Sequence, residues 1–173
     1  MKKNIFYLSV LLFFTFIFTI FYLGLDKSNF YKPKEVKNKN LEEFISTELF
    51  SNKQLNSKDI IENNNFTLIN IWSSWCSPCR SEHTMLMSLS KETDLNIIGL
   101  NYKDKKNNAI KFLDELGNPF SKNLIDPDGI ISISLGAYGV PESFLVNNKS
   151  RIIRKYIGPL TSDNISEIIK IIQ

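Results

Sequence analysis

Cys76 and Cys79 are the only cysteines in the chain, and Ser77 and Pro78 separate them. Two thiols at that spacing can close a disulfide within one helical turn, and opening and closing it moves two electrons. The β-rich apolar run Phe66 to Trp72 stops shortly before the pair, and a helical pattern follows it. A cysteine at such a strand-to-helix junction faces unpaired backbone N–H groups and the positive end of the helix dipole. Both favour thiolate over thiol and draw its pKa from about 8.5 toward 7 or below. Cys76 is therefore the expected nucleophile, and Cys79, on the first turn, the thiol that resolves a mixed disulfide. Pro78 suits a helix start, because the N–H it lacks would have no helical partner there.

Other chemistries fit less well. A structural zinc site takes four ligands, and two cysteines with the single His83 do not complete a cysteine/histidine set. Covalent haem attachment needs a histidine directly after the second cysteine, where Arg80 stands. A purely structural disulfide would do more by bridging distant segments. A metal-delivery module using Cys76, Cys79 and His83 stays as the alternative from another class.

Cys79, Glu82, Met85, Leu86 and Leu89 fall on one helical face. Glu82 then has two readings. Partly buried, its carboxyl would have a raised pKa and could pass protons to and from the thiols. At a first turn open to water, it would only complement the helix dipole. Met85 reads as packing and not as a soft metal ligand. His83 lies on a different face and is expected at the surface. Trp72 and Trp75 could form an apolar rim beside Cys76, or Trp72 could belong to the core.

The elements that must hold these residues alternate. Phe66–Trp72 and Leu95–Leu100 read as strands. Ala109, Phe112, Leu113 and Leu116 repeat at helical spacing, as do Ile165, Ile168, Ile169 and Ile172 after a cap at Ser162. Residues 143–147 and 151–157 flank Asn148-Lys149 and predict an antiparallel hairpin. The pattern predicts an α/β sandwich with a mixed central sheet flanked by helices.

Ahead of this lies a charge-free stretch from Ile5 to Leu25, which as a helix spans roughly 30 Å, the thickness of a hydrocarbon core. A cleaved signal would have a shorter apolar region and a small-residue cleavage site, so an uncleaved anchor over residues 1–25 is expected. Residues 26–39 are polar, lysine-rich and contain Pro33, which reads as a linker, with the globular domain at 40–173. Lys27, Lys32, Lys34, Lys37 and Lys39 outnumber the basic residues before the span, so the positive-inside count does not favour an external domain. A net charge of +3, with scattered lysines, excludes a nucleic-acid stripe.

The segment from Trp72 to His83 (WSSWCSPCRSEH) resembles the active-site segment of membrane-tethered thioredoxin-like proteins. Together with Gly99–Asp104, Leu116–Phe120, Asp126–Gly129 and Gly136–Phe144, it resembles the DsbE/CcmG type, the thiol:disulfide interchange proteins of cytochrome c maturation. The resemblance implies a thioredoxin-like domain facing the periplasm on a bacterial inner-membrane anchor. It implies a dithiol reductant that keeps the haem-binding cysteines of apocytochrome c reduced, directly or through a partner dithiol protein, and that is recharged by a transmembrane thiol electron donor. Glu82 and Glu142 match the acidic residues near the family's active site, and Pro141 matches its cis-proline. Trp75, Pro78, Tyr138 and Val140 are the expected substrate contacts, and no cofactor is expected beyond the cysteine pair. Asn70 stands where ordinary thioredoxins carry a buried aspartate, which shifts expected proton handling to Glu82. The resemblance assigns no function to residues 26–65. A broader extracytoplasmic reductase or oxidant is the alternative within the class, since reduction potential decides the direction of electron flow.

Overall fold

The computed structural model describes residues 2–25 and 39–173. The chain divides into two units, Met1–Glu35 and Val36–Gln173. The first carries helix α1 (Lys2–Leu25), of which Lys3–Gly24 is long and apolar enough to cross a membrane. Its hydroxyls return to their own helix: Ser9 Oγ donates to the Phe6 carbonyl at 2.8 Å and Thr19 Oγ1 to that of Thr15 at 2.7 Å. Polar groups satisfied in this way can enter hydrocarbon without an orphaned donor. The linker expected over residues 26–39 lies outside the described residues, apart from Lys39.

In chain order the second unit contains β1 (Ile45–Glu48), β2 (Gln54–Asn56), α2 (Ser57–Glu62), β3 (Phe66–Trp72), α3 (Ser77–Glu92), β4 (Asn96–Tyr102) and α4 (Lys106–Leu116). It continues with β5 (Lys122–Asp126), α5 (Ile130–Ser134), β6 (Glu142–Asn147), β7 (Ile152–Ile157) and α6 (Ser162–Ile172). Among the described residues the strands form one sheet in the order β2-β1-β5-β4-β3-β6-β7. The β3–β4 and β4–β5 pairs are parallel and the rest antiparallel. This is the mixed, helix-flanked sheet that the sequence predicts, with the hairpin in place as β6–β7.

Period-two alternation assigns the two faces. Along β3, Leu68 and Trp72 join a core with Leu86 and Leu89 of α3, Phe112 and Leu113 of α4, and Ile168 of α6. Ile69 and Ile71 join the opposite core with Ile61 of α2 and Leu135. A strand buried on both faces needs an almost unbroken apolar run, which Phe66–Trp72 supplies with one amide, Asn70, in its middle. Gly99 on β4 is required for closeness, since a Cβ there would stand 2.7 Å from Phe120 Cδ2 and 2.8 Å from Trp72 Nε1.

Residues before Phe66 supply β1, β2 and α2, which build one edge of the sheet. One expectation is corrected. The α6 cap is Thr161, not Ser162: Thr161 is extended and its Oγ1 accepts the Asn164 N–H, while Asn164 Oδ1 accepts the Thr161 N–H. The chain enters this unit along the β6–β7 hairpin, where the Leu41 N–H bonds the Ser150 carbonyl and the Ile152 N–H bonds that of Lys39. Since Phe66 pairs with Asn147, that hairpin turn lies at the end of β3 opposite Trp72.

Candidate active site

Cys76 is the N-cap of α3, in extended conformation, and its Sγ accepts the Cys79 N–H at 3.1 Å. Pro78 sits in the first turn, where its missing donor costs nothing. The two cysteines are joined as a disulfide. When the bond opens, the same N-terminal N–H groups stabilise a thiolate on Cys76.

The loop before Cys76 is fixed from the end of β4. Asp104 accepts from the Ser74 N–H at 2.6 Å and Ser74 Oγ at 2.8 Å, and also from Asn101 Nδ2 and the Lys105 N–H. Burial pushes its pKa up, but these four donors outweigh it and leave Asp104 below the ordinary aspartate value. Next to it Trp75 is 60% exposed, with Nε1 donating to the Lys103 carbonyl at 3.0 Å. Lys103 has φ +44°. Of the two tryptophans, only Trp75 is at the rim. Trp72 is core, stacked on Phe120 at 5.6 Å and tilted against Phe112 at 5.0 Å.

Glu82 is 1% exposed, one turn beyond Cys79. Its Oε1 accepts from Asn70 Nδ2 at 2.9 Å and its Oε2 from the Leu160 N–H at 2.6 Å. Burial raises its pKa, and the two hydrogen bonds only partly offset the rise. Of the two placements, the buried one holds. The expectation for His83 fails: it is 4% exposed, with Nε2 2.9 Å from the Gly117 carbonyl and its ring edge-on to Phe112 and Phe120. The physical reason is that Phe112 of α4, with Gly117 and Phe120 beyond it, covers this side of α3, so its buried arc is wider than a one-sided pattern implies. Burial lowers the His83 pKa, and a carbonyl partner can only accept, so the neutral ring carries its proton on Nε2. Met85 is half-buried, and among the described residues no group of three or more His, Cys, Asp or Glu is assembled to hold a metal.

On the other side of the site the Val140–Pro141 peptide is cis. Glu142 pairs with Ile71 across β6 and β3, which puts Pro141 at the end of β3 from which the Cys76 loop departs. Glu142 is buried; its Oε1 accepts the N–H groups of Tyr138 at 2.7 Å and Gly139 at 3.1 Å, and its Oε2 lies 2.8 Å from Lys155 Nζ. Val140 is half-buried against the core, and Tyr138 is 56% exposed. The expected residues thus gather at one end of the sheet. Sequence reasoning assigned no role to Asp104 or Lys155, whose partners lie far away in the chain.

Residues 37–172 match the Redoxin family. The chain is 48% identical over 101 residues to the thiol:disulfide interchange protein CycY of Rhizobium leguminosarum bv. viciae, covering 58% of this chain and 54% of that protein. It is 39% identical over 107 residues to DsbE of Escherichia coli K12, covering 62% and 57%. With DsbE of Allochromatium vinosum the identity is 36% over 128 residues, covering 74% and 70%. The match therefore spans little more than half the length of the first two relatives. Among solved structures, the thioredoxin domain of a thiol-disulfide oxidoreductase from Bacteroides vulgatus superposes with a TM-score of 0.67 at 17% identity, covering 79% of this chain and 98% of that one. A DsbF homologue from Corynebacterium diphtheriae gives 0.68 at 22% identity, covering 83% and 95%. The fold is thioredoxin-like.

Proposed function

The chain belongs to the Redoxin family, and from that premise we propose that it is a membrane-anchored thiol:disulfide oxidoreductase, a dithiol reductant in cytochrome c maturation. The observation that carries the reading is the disulfide of Cys76, N-cap of α3, with Cys79, at the same sheet end as the cis Val140–Pro141 turn. In the reduced protein the Cys76 thiolate attacks one sulfur of a client disulfide, and the other client sulfur leaves as a thiolate. Cys79 then attacks Cys76 Sγ, which closes the Cys76–Cys79 bond and releases the second client thiolate. The client gains two electrons, which the pair loses, and its two thiolates take up one proton from Cys79 and one from water. Glu82, buried one turn from Cys79 and with a raised pKa, is suited to accept the Cys79 proton and pass it on.

Residues 1–25 serve as a single-pass anchor in the bacterial inner membrane, 26–39 as a linker, and 40–173 as the periplasmic domain. The apolar length of Lys3–Gly24 and the reductant chemistry support that arrangement. The clients are apocytochrome c or a maturation dithiol protein, and a transmembrane thiol electron donor restores the dithiol. The test is partner trapping with Cys79→Ala, which stalls mixed disulfides on Cys76. Apocytochrome c or a maturation dithiol protein among the trapped species is the expected result. Normal holocytochrome c in cells lacking the protein, or full rescue of a deletion by Cys76→Ala, would overturn the role.

A further inference from the structure

Lys155 on β7 is a buried cation, its side chain only 8% exposed. Its Nζ lies 2.8 Å from Glu142 Oε2 and donates to the Gly136 carbonyl at 2.8 Å. The same ammonium stands 4.5 Å from the centre of the Tyr138 ring and 5.3 Å from that of Phe144. Three of these four partners lie in one stretch, Gly136 to Glu142, which carries the cis Val140–Pro141 bond. The Glu142 carboxylate, at the end of the stretch, folds back to hold the Tyr138 and Gly139 N–H groups. The loop is thus tied from its own end by Glu142 and from the neighbouring strand by Lys155.

Taking an ammonium out of water is costly unless its partners are well placed, and an apolar side chain of similar volume would fill the space without that cost. What the cation adds is a fixed loop. Tyr138, with Nζ over its ring, remains 56% exposed, and an aromatic held in place before a partner arrives loses little entropy on contact. We propose that Lys155 is a positioning residue for client recognition, holding Tyr138 and the Val140–Pro141 turn in the shape that grips an extended polypeptide beside Cys76. This rests on the thiol:disulfide reading above. It governs clients that engage the loop more than small disulfides that reach Cys76 without it.

The test uses the full chain in detergent, pre-reduced, with two oxidised substrates: an unstructured peptide closed by one disulfide, and hydroxyethyl disulfide. Lys155→Met is expected to raise KM for the peptide about tenfold with a smaller change in kcat, as expected for losing a charge-assisted hydrogen bond and a cation–π contact. The loss on the peptide exceeds that on hydroxyethyl disulfide at least about fivefold, and Lys155→Arg recovers most of it. Because Lys155→Met leaves buried Glu142 without its counter-charge, a Lys155→Met/Glu142→Gln double variant keeps the comparison available if the single variant does not fold. Combining Lys155→Met with Tyr138→Leu is expected to cost less than the sum of the two. Equal losses on both substrates, or additive losses with Tyr138→Leu, would overturn the role of Lys155 alone. A wild-type protein that reduces neither substrate would instead overturn the redox reading beneath it.

Discussion

Asn70 Nδ2 lies 2.9 Å from Glu82 Oε1, and among the described residues Asn70 Oδ1 has no hydrogen-bond partner. The amide thus offers a donor to the carboxylate and, after rotation, an acceptor to the carboxylic acid, so either protonation state of Glu82 can be met without a second charge. An aspartate at position 70 would instead set two carboxylates against each other. Asn70→Asp is expected to raise the Glu82 pKa further and destabilise the fold at neutral pH, as read by urea denaturation; unchanged stability would contradict this pairing.

The raised pKa of Glu82 sets a slope in stability. A carboxyl with a folded pKa above its unfolded value contributes stability that is full below the ordinary glutamate value and is lost as pH rises through the folded one. Glu82→Gln should flatten that part of the curve. Because Gln is the neutral isostere of the protonated acid, the two proteins are expected to be close in stability at acid pH, with the variant the more stable of the two as pH rises. Parallel curves for the two proteins would mean that Glu82 is not the titrating group.

His83 works in the opposite sense. Burial depresses its pKa, so the unfolded chain binds the proton more readily and stability falls as pH drops below the ordinary histidine value. His83→Phe removes this dependence and strands the Gly117 carbonyl, for an expected loss of about 1–3 kcal/mol at neutral pH. Denaturation midpoints with and without the substitution, compared on both sides of about pH 6.5, check the sign.

Asp104→Asn should loosen the Cys76 loop. The asparagine keeps one acceptor oxygen but turns an N–H₂ toward donors, and because the site is partly open to solvent the expected cost is about 1–2 kcal/mol. Its stability contribution is present above the ordinary aspartate value and is lost as pH falls through the depressed one. Trp75 fluorescence anisotropy should fall in the variant; an unaltered signal would show that the loop holds itself.

Gly99→Ala is the packing test. With Phe120 Cδ2 at 2.7 Å and Trp72 Nε1 at 2.8 Å from the new methyl, rings must shift, for an expected loss of about 1–3 kcal/mol. A neutral or stabilising result would show that the rings move freely.

What the sequence disclosed follows from range. The cysteine pair, β3 and α4 declare themselves through neighbours a few residues apart: CxxC spacing, an unbroken apolar run, and apolar residues at helical period. The burial of Glu82 was one of two readings because its decisive partners, Asn70 and Leu160, are 12 and 78 residues away. The burial of His83 is not legible locally, because the Gly117 carbonyl that receives it lies 34 residues on, outside any window of α3. Asp104 meets Ser74 over 30 residues, and Lys155 reaches Gly136 over 19. The cis bond at Pro141 came from resemblance, since spacing carries no sign of it.

The segment that enters the domain at Lys39–Leu41 is stitched to Ser150 and Ile152, at the far end of β3 from the cysteines. In mechanical terms, a tug on the preceding chain loads those two hydrogen bonds and passes into the β6–β7 hairpin near its turn. The strain arrives one full strand length from Cys76, and the sheet between acts as a stiff plate. The disulfide end is therefore remote from any load applied at Lys39.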